Sequence, residues 1–553
     1  MALGLLRHAS ELYAKSSLSF HLRFLGHDIS LLSALLAIFV ASRVLKLLNG
    51  LRAVSSLPGY RVPFQPLAPP GALIPTSWWN PGLYAHWKWK DTLYKDFQNE
   101  NFSVVPFLLG APSIYTSNID VMRQVVSGGE QKTSFQKSPA ASRVLIKWGQ
   151  NLVGAWETGM WRKHRRVMGP AFNNKLHEMV WAETLNTYRQ METVEGWHGK
   201  DVVEIPVMQK LTTKLALLII AKCGFGFTVD CSAPPTGPDG SMTVQEALRV
   251  LTDSYIVGLM CPDWVRYLPG FGRIREAFKA FSTFMRKEIE ARTAEVRNEE
   301  QSAEERMDAF TMLVRANEQE TGKLRLSEQE VIGNVFILLF AGHETTANTI
   351  CATLALLALH QDIQNEVVEQ IVTVVGYDRD PAYSDYSDLD KVLSAFYEGL
   401  RLFPAAHIMI REAAEDTVLH LPNPVGQEGT TPLPIQKGTQ VIVDMVGIQY
   451  NPRYFDDPET FRPSRWYGES NESEAFSAFS LGPRACIGRK FATTEAVVFL
   501  TMLLREWRVE PLLKEGESRR GWRERVLGSP ILGLATAVGE APVRFVRRKQ
   551  GGA

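Results

Sequence analysis

Apolar residues recur every three to four positions through most of the chain beyond residue 80. That period marks helices with one face turned to a core. It is clearest in WAETLNTYRQMETV (181–194), IREAFKAFSTFMRKEIEARTAEVRNEE (274–300) and DIQNEVVEQIVTVV (362–375). Strand-like runs are short: SVVPFLL (103–109), SIYTS (113–117), TQVIVDMV (439–446) and VRFVRR (543–548). TVDCSAPPTGPDGSMT (228–243) reads as a loop from its Pro, Gly and Ser content. The pattern predicts a mainly α domain with small peripheral β-sheets.

Two runs are apolar enough to raise the question of a membrane. The first, ISLLSALLAIFVASRVLKLL (29–48), carries no charge up to Ala41. The stems of Arg43 and Lys46 can snorkel toward headgroups, so the run is long enough to span a bilayer. A cleaved signal peptide has a similar apolar run, but this one begins late, after Arg7, Glu11, Lys15, Arg23 and Asp28. Basic residues flank both ends, so charge does not set its orientation. The second run, VIGNVFILLFAGHETTANTICATLALLALH (331–360), is interrupted by Gly342, His343, Glu344, Thr345, Thr346 and Asn348. Such groups are costly in lipid, so a buried core helix with a polar notch fits better than a second span.

Between anchor and domain lie Pro58, Pro63, Pro66, Pro69, Pro70 and Pro75. Proline removes donors and fixes φ, so this stretch is expected to be a stiff connector, neither helix nor central strand. The expected organisation is an N-terminal segment (1–28), an anchor helix (29–48), a proline-rich linker (49–76) and one large domain (77–553). No repeat of 20 to 50 residues is visible.

Charge narrows the function classes. Lys+Arg and Asp+Glu are both 60, giving zero net charge, which argues against a general nucleic-acid binder. The 5 cysteines are odd in number and widely spaced. No zinc-type spacing is present, and a disulfide framework is not expected, so the domain is expected to face a reducing compartment.

The chemistry concentrates in Phe479-Ser-Leu-Gly482-Pro-Arg484-Ala-Cys486-Ile-Gly488. This FxxGxRxCxG pattern closely resembles the haem-ligand loop of the cytochrome P-450 family. Three further motifs agree. Ala341-Gly342-His343-Glu344-Thr345-Thr346 resembles the family's oxygen-activating notch. Glu398-Gly-Leu-Arg401 resembles its ExxR helix, with Arg465 in PETFRPSRW as third member of the network. Trp161 and Arg165 fit its WxxxR pattern, and Arg411 matches another propionate-binding position.

The resemblance implies a cytochrome P-450 fold, with haem b between the central helix and the cysteine loop. Cys486 would be the axial thiolate, a ligand that favours O–O cleavage. Gly482 and Gly488 would let the backbone approach the sulfur, and Phe479 belongs to the same loop. Trp161, Arg165, Arg411 and Arg484 would hold the propionates. Thr345 and Glu344 would be catalytic, handling hydrogen bonds and protons on the oxygen side; a helical Thr can also merely bond back to a carbonyl. Ala341 and Gly342 would leave room for dioxygen, and His343 would be structural or gate-lining. Glu398, Arg401 and Arg465 would brace the loop.

The implied reaction turns substrate-H, dioxygen, two electrons and two protons into substrate-OH and water. No flavin- or nicotinamide-binding loop is visible. NADPH-derived electrons would come through NADPH-cytochrome P-450 reductase, with cytochrome b5 as a possible helper. The implied location is the endoplasmic reticulum membrane, single-pass, with the domain facing the cytosol. Arg162, Lys163 and Arg166 would either dock the electron donor or form a solvated face. Candidate pocket walls are Ala405, Ala406, His407, Ile408 and Met409, then Phe336, Leu339 and Phe340, and a region near Gly528–Leu532. Most are apolar, which suggests a lipophilic small molecule. LMCPDWVRYLPGFG (259–272) either touches the bilayer or is an ordinary core loop. The chain looks most like fungal microsomal members, which suggests a terpenoid in secondary metabolism. Fatty acids, alkanes and aromatic xenobiotics are the alternatives, and a non-catalytic haem sensor or electron carrier is the alternative of another class.

Overall fold

The computed structural model describes residues 21–24, 27–95, 97, 99–126, 134–227, 242–254, 261, 263–298, 307–423, 426–468, 476–532 and 535–549. Most of the 228–243 loop, from 228 to 241, lies outside the described residues. The helices that position the site are α1 (Leu31–Ala53), α2 (Thr158–Met168), α3 (Asn174–Val194), α4 (Met208–Ile219) and α5 (Gly272–Arg297). They continue with α6 (Ala309–Gln319), α7 (Glu328–Leu359), α8 (Gln361–Val374), α9 (Asp390–Leu402) and α10 (Arg489–Glu506). Helices dominate and the sheets are small and separate, as the apolar periodicity predicts.

The middle of the fold is α7. Ser327 and Glu330 start it with a reciprocal capping box. Its 32 residues make a rod of about 48 Å. Of its apolar stretch, 67% is buried inside the protein, against 6% for α1. The two runs that hydropathy alone equates are thus a core helix and an outward one. α7 packs on α4, α9 and α10, and the core includes Val335, Ile350, Leu354, Leu357, Val497 and Phe499.

The larger sheet holds β1 (Gly59–Phe64), β2 (Asn101–Leu109), β3 (Ser113–Thr116), β4 (Phe135–Lys137), β5 (Ile408–Ala413) and β6 (Gln440–Asp444). Their order is β1-β2-β3-β6-β5-β4. A second sheet joins Val202–Ile205, Trp507–Pro511 and Val543–Arg547.

The proline-rich stretch differs from the expected connector. Gly59–Phe64 pairs with β2 at the sheet edge, its register shifting between Val62 and Phe64 beside Pro63. Proline is tolerated at such an edge or bulge because no ladder donor is required there. Pro69–Leu73 is a short helix whose prolines occupy its first turn, where the missing N–H would be unpaired in any case. Residues 57–73 therefore belong to the domain. The anchor helix also differs in extent: it begins at Leu31, while Ile29 and Ser30 pair with Leu22 and His21. Large apolar side chains from Leu32 to Leu48 stay exposed. Arg43 and Lys46 do not snorkel outward: both hydrogen-bond the Leu108 carbonyl of β2, each at 3.0 Å.

Helix α9 crosses α7 closely because position 399 has no side chain. A Cβ on Gly399 would collide with Thr353 Oγ1 and lie 3.2 Å from Thr353 Cα. Gly399→Ala is expected to cost about 1–3 kcal/mol, read as a lower urea midpoint. Gly272→Ala, where nothing lies within 4 Å, should change stability by less than about 0.5 kcal/mol.

Candidate functional site

The cysteine loop is two short 3-10 turns, Ser477–Phe479 and Gly482–Arg484, leading into α10. Two residues between and at these turns have left-handed backbone, Ser480 at φ 65 and Gly482 at φ 69. Glycine adopts this freely, whereas a serine does so at a cost of about 1–3 kcal/mol. The bend lets the Cys486 N–H donate to the Phe479 carbonyl at 2.9 Å. Phe479 packs edge-on against Phe476 and Tyr397.

Cys486 is deeply enclosed by protein, yet its side chain is exposed. The two observations together mean that it borders an internal space. Burial pushes its thiol up, while the Gly488 N–H and the Arg165 and Arg489 guanidiniums favour the thiolate. Gly488 is not demanded by protein packing: a Cβ there would meet Phe172 at an ordinary 3.9 Å.

Four cations gather nearby. Arg411 lies in β5, and the antiparallel register sets it directly opposite Lys137 of β4. Lys137 donates to Val153 O, Arg484 Nη1 to Ala155 O at 2.7 Å, and Arg411 Nη1 to Ile410 O at 3.0 Å. The Arg484 guanidinium also sits over the Trp161 ring at 5.0 Å. Among the described residues no carboxylate forms an ion pair with Lys137, Arg165, Arg411 or Arg484. Burial, then Arg411 and Arg484, holds the Lys137 ammonium well below its usual range. Burial, then Arg484, brings Arg411 down to about 10. Like charges directly opposite across a sheet repel, so this cluster suits a dianion. Lys137 carries no motif, and its neighbours 127–133 lie outside the described residues; only the strand pairing reveals it.

On α7, Leu338, Ala341 and Thr345 are half-exposed at helical spacing, so one face of the notch is open. Gly342 differs from the expected role. A Cβ there would lie 2.8 Å from Ile220, in the π-helical turn Ile220–Gly224 that ends α4. Its room is taken by protein. Thr345 Oγ1 donates to Ala341 O at 2.9 Å, so its proton is engaged and its lone pairs face outward for acceptance. Burial pushes the Glu344 carboxyl up to about 7. His343 is buried with Nδ1 2.7 Å from Leu339 O, a structural position and not a gate. Neither Glu344 nor Thr345 hydrogen-bonds the cysteine loop; they face it only through the packing of α7 on α10.

Glu398, Arg401 and Arg465 do meet. Arg401 Nε and Nη2 both donate to Glu398 at 2.8 Å, and neither side chain is exposed. Arg465 Nε reaches Glu398 Oε1 at 3.3 Å. Two donors escaped the sequence reading: Trp466 Nε1 at 2.9 Å and the Arg462 N–H at 3.0 Å. Arg401 Nη1 also holds the Gln449 and Pro458 carbonyls, both at 2.7 Å.

Other expected roles are redistributed. Lys163 pairs with Glu330 and Arg166 with Glu320, leaving Arg162 as the member of that basic cluster with no ion pair among the described residues. His407 is buried and lies against His86, ring centroids 5.7 Å apart. Phe336 and Leu339 are buried in the core, Phe336 tilted against Trp148 with ring centroids 4.1 Å apart. Ala406 stays exposed and Ile408 half-exposed, and Ala405 O receives Thr536 N from the hairpin after Gly528–Leu532.

The comparisons with known proteins converge on one family. The cytochrome P450 family model matches residues 73–529. Cytochrome P450 monooxygenase 124 of Postia placenta is 34% identical over 83% of this chain and 88% of its own length. Cytochrome P450 monooxygenase prx9 of Penicillium rubens is 28% identical, covering 78% of this chain and 79% of its own. Cytochrome P450 monooxygenase ORF6 of Penicillium roqueforti is 27% identical over 83% of each. With the cysteine loop, the paired carboxylate and the cation cluster in place, the chain belongs to the cytochrome P450 family and is a monooxygenase of that family.

Proposed function

We propose that this chain is a membrane-anchored haem-thiolate monooxygenase that inserts one atom of dioxygen into a lipophilic small molecule, with Cys486 as axial ligand. The observation that carries this reading is the Cys486 thiol, deeply enclosed yet exposed, bordering an internal space. The four cations, which form no ion pair with a carboxylate among the described residues, would complement the two propionates of haem b. A thiolate-ligated haem supplies dioxygen activation and O–O cleavage. The chain's own residues do the rest. Arg165, Arg411, Arg484 and Lys137, with Trp161, would hold the propionates. The Gly488 N–H stabilises the sulfur charge, and the Glu398–Arg401–Arg465 network keeps the loop in place. Thr345 accepts hydrogen bonds at the open face of α7. Glu344 holds a proton near neutrality and passes it inward.

The half-exposed, apolar positions Leu338 and Ala341 on α7 favour a lipophilic substrate. We place a terpenoid first, with fatty acids, alkanes and polycyclic aromatics as alternatives. Exposed apolar side chains along α1 support an anchor in the endoplasmic reticulum membrane, with the domain in the cytosol. Electrons then derive from NADPH through the diflavin reductase of that membrane, with cytochrome b5 as second donor. Product profiling with reductase against a panel of these classes tests the substrate; oxidation of a class outside terpenoids would overturn the first choice.

Cys486→Ala is expected to abolish the thiolate-type spectrum of the reduced, carbon monoxide-bound protein. Cys223→Ala and Cys351→Ala, both buried elsewhere, should leave it intact. A retained spectrum in Cys486→Ala refutes the ligand assignment.

Glu344 keeps its proton below about pH 7 and loses it above. Product formed per NADPH should therefore fall as pH rises through about 7, and Glu344→Gln should lack that step. Lys137→Met should act with opposite signs on the two forms of the protein. Without haem, relief of the Arg411 repulsion keeps or raises the urea midpoint. With haem, loss to a competing haem acceptor should be about tenfold faster or more.

A further inference from the structure

The first turn of α10 holds a lysine among aromatic rings. Lys490 Nζ lies 3.2 Å from the centre of the Tyr386 ring and 6.0 Å from that of Tyr383, both in the turn Tyr383–Asp388. Trp181 of α3 meets both tyrosines edge-on, at 5.9 Å and 6.4 Å between ring centroids. Hydrogen bonds fix these walls. Trp181 Nε1 donates to Pro381 O at 2.8 Å, and Tyr386 Oη to Thr493 Oγ1 at 2.9 Å. Among the described residues Lys490 forms no ion pair.

The ring faces favour the ammonium form, and the rest of the setting opposes it. The side chain is half-buried, which disfavours charge. A cation in the first turn of a helix opposes the helix dipole, and Arg489 beside it adds a like charge. The neighbour on α3 is His177, buried, which burial and then Lys490 bring down to about 4. It therefore stands near the amine as a neutral imidazole. Neither of its ring nitrogens has a hydrogen-bond partner among the described residues. Glu178, the next residue on α3, bears on Tyr383 and not on Lys490. Burial brings the Lys490 ammonium down to about 8, so about a tenth is neutral at pH 7.

A desolvated amine without a counterion, beside an imidazole free to take its proton, is how a lysine becomes a nucleophile. We infer that Lys490 is a covalent modification site, acylated on Nζ by activated acyl groups of the thioester class. The amine lone pair attacks the acyl carbon and an amide bond forms. The C–S bond breaks, and the amine proton passes through His177 to the departing thiolate, which leaves as a thiol. The amide carries no charge to oppose the helix dipole or to rest on Tyr386. Acylation thereby changes how the start of α10, the helix that follows the cysteine loop, holds the turn Tyr383–Asp388.

The test incubates the full-length haem protein with acetyl coenzyme A across about pH 6 to 10. Peptide mass spectrometry follows the rate of acetylation at Lys490 and at Lys175, an exposed lysine of α3. At pH 7 Lys490 should react about tenfold faster or more. Its rate should level off above about pH 8, while that of Lys175 keeps rising. Tyr386→Ser lets water reach the amine, so at pH 7 Lys490 should react about threefold more slowly or less, despite its easier access. An unchanged carbon monoxide spectrum shows that this variant is folded; if it is not, the pH profile of the unaltered protein decides alone. Lys490 reacting no faster than Lys175 at pH 7 overturns the inference, as does a Lys490 rate that rises in parallel with that of Lys175 at every pH. Faster acetylation in folded Tyr386→Ser overturns it too, because access and not enclosure then governs the amine.

Discussion

Two opposite charges, Glu398 and Arg401, lie fully buried at the end of α9, and the cysteine loop depends on how they are satisfied. Taking such a pair from water is costly, and removing one partner costs about 3–5 kcal/mol because the other is left uncompensated. Here the compensation is complete. Glu398 accepts from Arg401, Arg465, Trp466 and the Arg462 N–H. Arg401 spends its remaining donors on the carbonyls of Gln449, Pro458 and Thr460. A single ion pair therefore clamps six points of the chain between residues 449 and 466. From there Gln449 reaches Ser477 at 3.0 Å, and Trp466 and Tyr397 pack on Phe476. This tension of many bonds on one carboxylate is what can hold Ser480 in its left-handed conformation.

The other side of the site is defined by an imbalance. Lys137 and Arg411 face each other across a strand pair, with Arg484 close enough to perturb both. A protein selected for stability alone would not place them so. The cluster makes sense as half of an interaction whose negative half arrives with the cofactor. Stability and cofactor affinity are opposed at these positions, a common mark of a functional site.

Legibility in the sequence followed the range over which each feature is made. The cysteine loop, the notch and the ExxR turn are local, so their residue types stand at fixed spacing and could be read directly. The mainly α fold was legible because burial imposes a period on each helix. Lys137 was not, since its neighbourhood is created by pairing with a strand more than two hundred residues later. The same limit misjudged the proline-rich stretch, whose edge strand exists only because β2 lies beside it. It also left open the basic cluster on α2, where Glu330 and Glu320 turned out to claim Lys163 and Arg166. At Gly342 the space expected for dioxygen is filled by Ile220, a neighbour that spacing along the chain cannot reveal.

That neighbour has a consequence of its own. The π-helical turn at the end of α4 pushes Ile220 into the space a side chain at 342 would fill. The two positions thus divide a single volume between segments far apart in sequence. A larger residue at 342 requires the Ile220 side chain to shift or a smaller residue to replace it, and shrinking 220 alone opens room beside the central helix. Paired exchanges at these two positions can thus alter how closely the end of α4 approaches the central helix, while the residues of the cysteine loop stay as they are.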